Sequence, residues 1–175
     1  MADPHIRSKM DKLDYLTVFI YRLGFTFCFP IIALLPWQAE LPFEMGGLIE
    51  KLVFVCAIMC ASSLHIYMKS FRFLLQMATW VGLICVLLGY PEIGLGGAFI
   101  TLGGLCYKEY FCFKVPGLPF QPLILATLWF SLQFEIEFST IVLSSVASLL
   151  FLVVSIAKWK MPFHFDIGDK TKYEV

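Results

Sequence analysis

Apolar residues run along this chain in long, nearly unbroken stretches, separated by short links that carry charges, prolines and glycines. Crossing a hydrocarbon core of about 30 Å takes about 20 mainly apolar residues in a helix, with a range of roughly 17–25. On that measure the pattern predicts an all-α, polytopic transmembrane helical bundle of about six spans. These run from Leu13 to Leu35, Gly47 to Met68, Phe71 to Tyr90, Ile93 to Tyr107, Phe120 to Phe134 and Phe138 to Ala157. The fourth, rich in glycine, and the fifth are short enough to be re-entrant or buried segments instead. A transmembrane β-barrel is excluded, because its strands would alternate apolar and polar positions.

Charge segregates between the two sets of links. Arg7, Lys9 and Lys12 precede the first span, Lys69 and Arg72 follow the second, Lys108 and Lys114 follow the fourth, and Lys158, Lys160, Lys170 and Lys172 follow the sixth. The other set holds Glu40, Glu44, Glu92, Glu135 and Glu137, with Lys51 as its one nearby base. The positive-inside rule then puts both termini in the cytoplasm. Residues 1–12 become a cytoplasmic segment, 13–157 a single membrane domain and 158–175 a cytoplasmic tail.

Composition narrows the class further. The 175 residues are 59% apolar and 15% charged, against roughly 45–50% and 25% in a soluble domain, which leaves lipid as the main solvent. Thirteen basic residues balance thirteen acidic ones, so no basic field is available for nucleic acid. The first apolar stretch is too long for a signal-peptide core and lacks a small-residue cleavage site, so it is expected to stay as a span. The chain contains no asparagine and hence no N-glycosylation acceptor. These features fit a bacterial inner membrane.

Ionisable residues inside apolar runs are the best pointers to function, because each is costly in lipid and usually faces protein or water. Arg22, His65, Lys108 and Glu109 are expected to form a polar cluster at the cytoplasmic face, with Arg22 and Glu109 as direct partners. Lys108 and Glu109 are adjacent, point about 100° apart on a helix and are expected to need separate partners. Gly94, Gly97, Ala98, Thr101 and Gly104 recur at spacings of three and four, a small-residue stripe that lets helix backbones approach closely. Ser144, Ser148 and Ser155 make a thinner line on the sixth span. In the tail, Asp166 and Asp169 are expected to dock onto Lys108, Lys114 or Arg72.

Catalytic chemistry finds little support. Cys28, Cys56, Cys60 and Cys85 fall inside spans, while Cys106 and Cys112 fall at the face where thiols stay reduced. No pair of closely spaced Cys or His motifs marks a zinc site, and a haem held by two membrane histidines would need more than His65. Gly-x-Ser-x-Gly, His-Glu-x-x-His and phosphate-loop motifs are absent. No cofactor is expected.

The strings IYRLGF at Ile20 to Phe25, LHIYMKSFRFLLQMATWVG at Leu64 to Gly82, CYKEYFCF at Cys106 to Phe113 and DIGDKTKYE at Asp166 to Glu174 together resemble bacterial integral membrane proteins of the family domain of unknown function 2301. Tyr107 and Tyr110 stand where the family pattern has a Phe and a small residue. The first basic link lacks a second His, which counts against a metal. The resemblance implies a small multi-span protein and brings no activity, cofactor or catalytic residue with it. The expected function is therefore structural or accessory, through helix contacts with a membrane-protein partner or a second copy. The alternative is a small transporter or channel using the cytoplasmic polar cluster.

Overall fold

The computed structural model describes residues 9–40 and 47–174, with the side chain of Ala39 left out; Arg7 and Glu44 of the charge pattern lie outside the described residues. Helix α1 spans Lys12–Leu34, α2 Leu48–Ser62, α3 Lys69–Leu87, α4 Pro91–Phe113, α5 Gln121–Gln133 and α6 Glu137–Lys160. A single turn, α7 at His164–Ile167, lies in the tail, and no strand occurs among the described residues. Three segments, Lys12–Gln38, Lys69–Leu87 and Glu137–Lys160, are long and apolar enough to cross a membrane. At about 1.5 Å per residue, the 15 residues of α2 and 13 of α5 reach only roughly 20 Å.

Local chemistry sets the helix limits. Asp11 and Asp14 form a reciprocal capping box that starts α1. Pro91 opens α4, where its missing N–H costs no hydrogen bond. Helix α4 is longer than the expected fourth span and continues to Phe113, because Glu109 is buried against Lys108 and Lys158 within the bundle and does not force the chain out of it. Lys114 then closes it in a left-handed conformation at φ 49°. Helix α2 stops six residues short of its expected limit, so His65 lies in the link to α3, outside every helix.

Helix α1 packs against α2 and α6, while α4 touches α2, α3, α5 and α6. The small-residue stripe seats α3 against α4. A Cβ on Gly97 would stand 2.5 Å from the Ala78 carbonyl oxygen, and one on Gly94 would meet Val86 and the Gly82 carbonyl. Gly104 faces Leu75 and Phe71 in the same way, and Ala98 is fully buried. Thr101 adds polar bonds to this seam, lying 2.7 Å from the Thr79 hydroxyl and 3.0 Å from the Leu75 carbonyl.

The starts of two helices gather beside the tail at one end of the bundle. The start of α1 lies beside the tail, where Lys170 pairs with Asp14. The first turn of α3 meets the tail too: the Glu174 carboxylate accepts from the Lys69 backbone N–H at 2.8 Å, and Arg72 donates to the Glu174 carbonyl at 2.9 Å.

Candidate functional site

Five charged side chains from three helices and the tail meet at this end of the bundle. On α1, the spacing Val18, Tyr21, Arg22, Phe25, Cys28, Ile32 makes one buried face. Arg22 therefore points inward, with a side chain that is 0% exposed. On α6, Ser144, Ser148, Phe151, Ser155 and Lys158 follow spacings of four, three, four and three, so Lys158 shares the buried face of the serines. Glu109 belongs to the buried face of α4.

Asp166 joins the tail to this core. Its Oδ2 accepts from Arg22 Nε at 2.7 Å and lies 2.5 Å from Arg22 Nη2, while its Oδ1 accepts from Lys158 Nζ at 2.5 Å. Arg22 also donates to the carbonyls of Met161 at 2.8 Å and Pro162 at 3.1 Å. Its guanidinium carbon sits 4.5 Å from the centre of the Phe163 ring. Glu109 is the second carboxylate: Oε2 accepts from Lys158 at 3.0 Å, and Oε1 accepts from Lys108 at 2.9 Å and from the Tyr21 hydroxyl at 2.7 Å. Lys158 thus bridges two carboxylates.

Four expectations need correction here. Arg22 and Glu109 do not touch; Arg22 bonds to Asp166, and Lys158 stands between the two carboxylates. Lys108 and Glu109 do bond to each other, because the long lysine stem curls back along α4. Asp166 accepts from Arg22 and Lys158, not from Lys108, Lys114 or Arg72. Asp169 turns its carboxylate onto Thr171, accepting from the backbone N–H at 3.0 Å and the hydroxyl at 2.7 Å, and so caps a short 3-10 turn. Its own N–H donates to the Tyr67 hydroxyl at 2.6 Å.

His65 stands beside the ionic chain without bonding to it. The Thr17 hydroxyl donates to the Asp14 carbonyl at 3.0 Å, which leaves its oxygen to accept from His65 Nε2 at 3.1 Å. Burial, with the Lys108 charge second, pushes the imidazole down to about 4. In the tail, the Tyr173 hydroxyl is pushed up to about 12, mainly by burial, and donates to the Ile167 carbonyl at 2.8 Å. His65, Tyr67, Tyr107, Lys108 and Asp166 line a half-open cavity of about 380 Å³. A larger cavity of about 660 Å³, lined almost wholly by apolar atoms, runs between α3, α4 and α5.

Comparison with known proteins agrees with this membrane architecture. The profile of the family described as uncharacterized integral membrane protein, DUF2301, matches residues 59–175. A protein of Haemophilus influenzae, described as an uncharacterized protein, is 51% identical over 175 residues, covering 100% of both chains. The chain belongs to the DUF2301 family. It is an integral membrane protein, and its apolar helices contact the bilayer. No solved structure matches it.

Sequence reasoning missed Tyr21 and Lys158 as members of the ionic chain. For Lys158 a signal was present: continuing the serine line of α6 by one more helical step reaches it. Among the described residues, no group of three or more His, Cys, Asp or Glu side chains is arranged to hold a metal ion. Cys28, Cys56, Cys60 and Cys106 are buried free thiols.

Proposed function

We propose that this protein is a six-span component of the bacterial inner membrane with both termini in the cytoplasm, acting as a structural or accessory subunit through its lateral helix surfaces. The observation that carries the reading is that most polar groups of the bundle bond to one another, with Gln38 Oε1, Gln121 Oε1 and Ser155 Oγ as buried exceptions among the described residues. The ionic chain bonds within itself, Thr101 bonds to Thr79 and α3, and the hydroxyls of Ser144 and Ser148 bond back to Ile141 and Ser145 of their own helix. A transport path would need Gly97, Thr101, Ser144 and Ser148 around one wet cavity. Of the two cavities described, Gly97 alone of these four lines either, and that cavity is apolar.

The position of α1's start beside the tail supports an even number of crossings, and the basic residues at that end support a cytoplasmic orientation. Helix α3 is the most exposed of the three clear spans: 17% of its apolar window is buried inside the protein, against 44% and 39% for the others. Its outward residues include Phe73, Met77, Trp80 and Ile84. A photo-crosslinking side chain at Met77 or Ile84, in intact membranes, should trap a protein partner or a second copy, whereas one at Leu149 on α6 should trap lipid. Lipid adducts alone from both α3 positions would refute the subunit reading. Reporter fusions after Trp37, Lys69, Tyr90, Lys114, Glu137 and Lys160 should alternate between sides, and a cytoplasmic signal after Glu137 would remove α5 as a crossing.

A further inference from the structure

The ionic chain is not balanced. Arg22, Lys108 and Lys158 supply three cations, and Glu109 and Asp166 supply two carboxylates. Both carboxylates are heavily used, since each accepts three bonds from these cations and Tyr21. The surplus is unevenly placed. Arg22 and Lys158 side chains are 0% and 1% exposed, whereas that of Lys108 is 22% exposed and forms part of the wall of the 380 Å³ cavity. An ammonium has three donors, and the Lys108 group shares one with Glu109.

That cavity has an apolar neighbour, with Phe71 in the wall of each. The polar mouth at Lys108 therefore lies one side chain away from the 660 Å³ groove walled by Leu74, Gly97, Ala126 and Trp129. Along α4, Lys108 and Gly96 are twelve residues apart, about 18 Å at 1.5 Å per residue, close to the ~15 Å of one leaflet's share of the hydrocarbon core. A surplus cation therefore stands at one end of a lipid-facing groove of about leaflet depth.

We propose that this composite cavity binds an anionic phospholipid from the bilayer, its phosphate against Lys108 Nζ and an acyl chain in the groove between α3, α4 and α5. The headgroup completes the charge that the protein leaves unmatched. The chain fills space that no side chain occupies. Tyr67 and Tyr107 flank the headgroup and Phe71 marks the boundary between its two parts. This binding does not depend on the subunit reading above and involves a different face from Met77 and Ile84.

The full chain in mild detergent is incubated with palmitoyl-oleoyl phosphatidylglycerol, with palmitoyl-oleoyl phosphatidylcholine or with inorganic phosphate, and native mass spectrometry counts retained adducts. One phosphatidylglycerol should be retained about fivefold better than phosphatidylcholine, as ~1 kcal/mol for one lysine at an anionic lipid implies. Lys108→Arg should keep the preference and Lys108→Gln should abolish it. Ala126→Phe, which fills the groove far from the ionic chain, should weaken lipid retention while leaving the lipid-free melting temperature unchanged. Equal retention of the two lipids, retention of inorganic phosphate as firmly as of lipid, or undiminished lipid binding by Ala126→Phe would each overturn the proposal. The wild-type lipid comparison and Ala126→Phe decide it even if Lys108→Gln fails to fold.

Discussion

Arg22 and Asp166 are 144 residues apart in the chain, yet the guanidinium holds the carboxylate through Nε and Nη2 at 2.7 and 2.5 Å with both side chains nearly inaccessible. The first helix is thereby tied to a carboxylate that lies beyond the last long one. Burying such a pair brings little net stability, because desolvation offsets the attraction, but removing one member strands a charge.

Asp166→Asn should therefore destabilise the protein by about 3–5 kcal/mol, the range for breaking a buried pair, since it strands Arg22 and weakens the hold on Lys158. A double-mutant cycle between Arg22→Leu and Asp166→Asn, followed by thermal melting in detergent, should give a coupling of about 0.5–3 kcal/mol. The cycle between Arg22→Leu and Glu109→Gln should give a smaller one, because Lys158 stands between those residues. Equal couplings would mean that Arg22 engages both carboxylates directly.

Gly97→Leu should lower stability by at least roughly 1–3 kcal/mol, since a Cβ there collides with the Ala78 backbone and α3 must move away. Leu149, on the exposed face of α6, supplies the control: its replacement by Ala should change the melting temperature little. Similar losses at both sites would show that α3 and α4 are not held in close contact.

Stability should also fall in mild acid. His65 has a folded value near 4 against an ordinary value of 6.5, so between these pH values the unfolded chain binds more protons than the folded one. Its contribution is complete above pH 6.5 and is lost as pH falls toward 4. For a partly buried group the loss should be on the order of 1 kcal/mol by pH 5, below the 1.4 kcal/mol per unit of an unscreened shift. Comparing melting of the wild type and His65→Gln from pH 7.5 to 4.5 isolates this contribution. Parallel curves would mean that His65 titrates normally in the folded protein.

The helices were legible because continuous apolar runs and proline or glycine punctuation act locally, and α1, α3 and α6 follow those runs within three residues at each end. The extent of α4 was not, because Lys108 and Glu109 look like the edge of a membrane when their partners are unknown. Lys158 was hidden by its neighbours: next to Lys160 it resembles a basic flank, although the helical step from Ser155 carries it inward. That Arg22 would meet Asp166 and not Glu109 depends on how α1, α4 and α6 lean together, which no local pattern records. Arg22, Lys108, Glu109 and Asp166 nonetheless gather at one end, since buried charges have few places to go in a bundle this apolar.

Because the counter-ion for Arg22 and Lys158 resides in the tail, the order of synthesis matters. Helix α1 emerges from the ribosome long before residue 166 exists, so the nascent chain carries an arginine whose permanent partner arrives 144 residues later. Completion of the ionic chain thus waits until synthesis has passed residue 166. A chain broken off after Lys160 would retain all six long helices and still leave Arg22 stranded, with Lys158 held by Glu109 alone, a form that membrane quality control would distinguish from the finished protein.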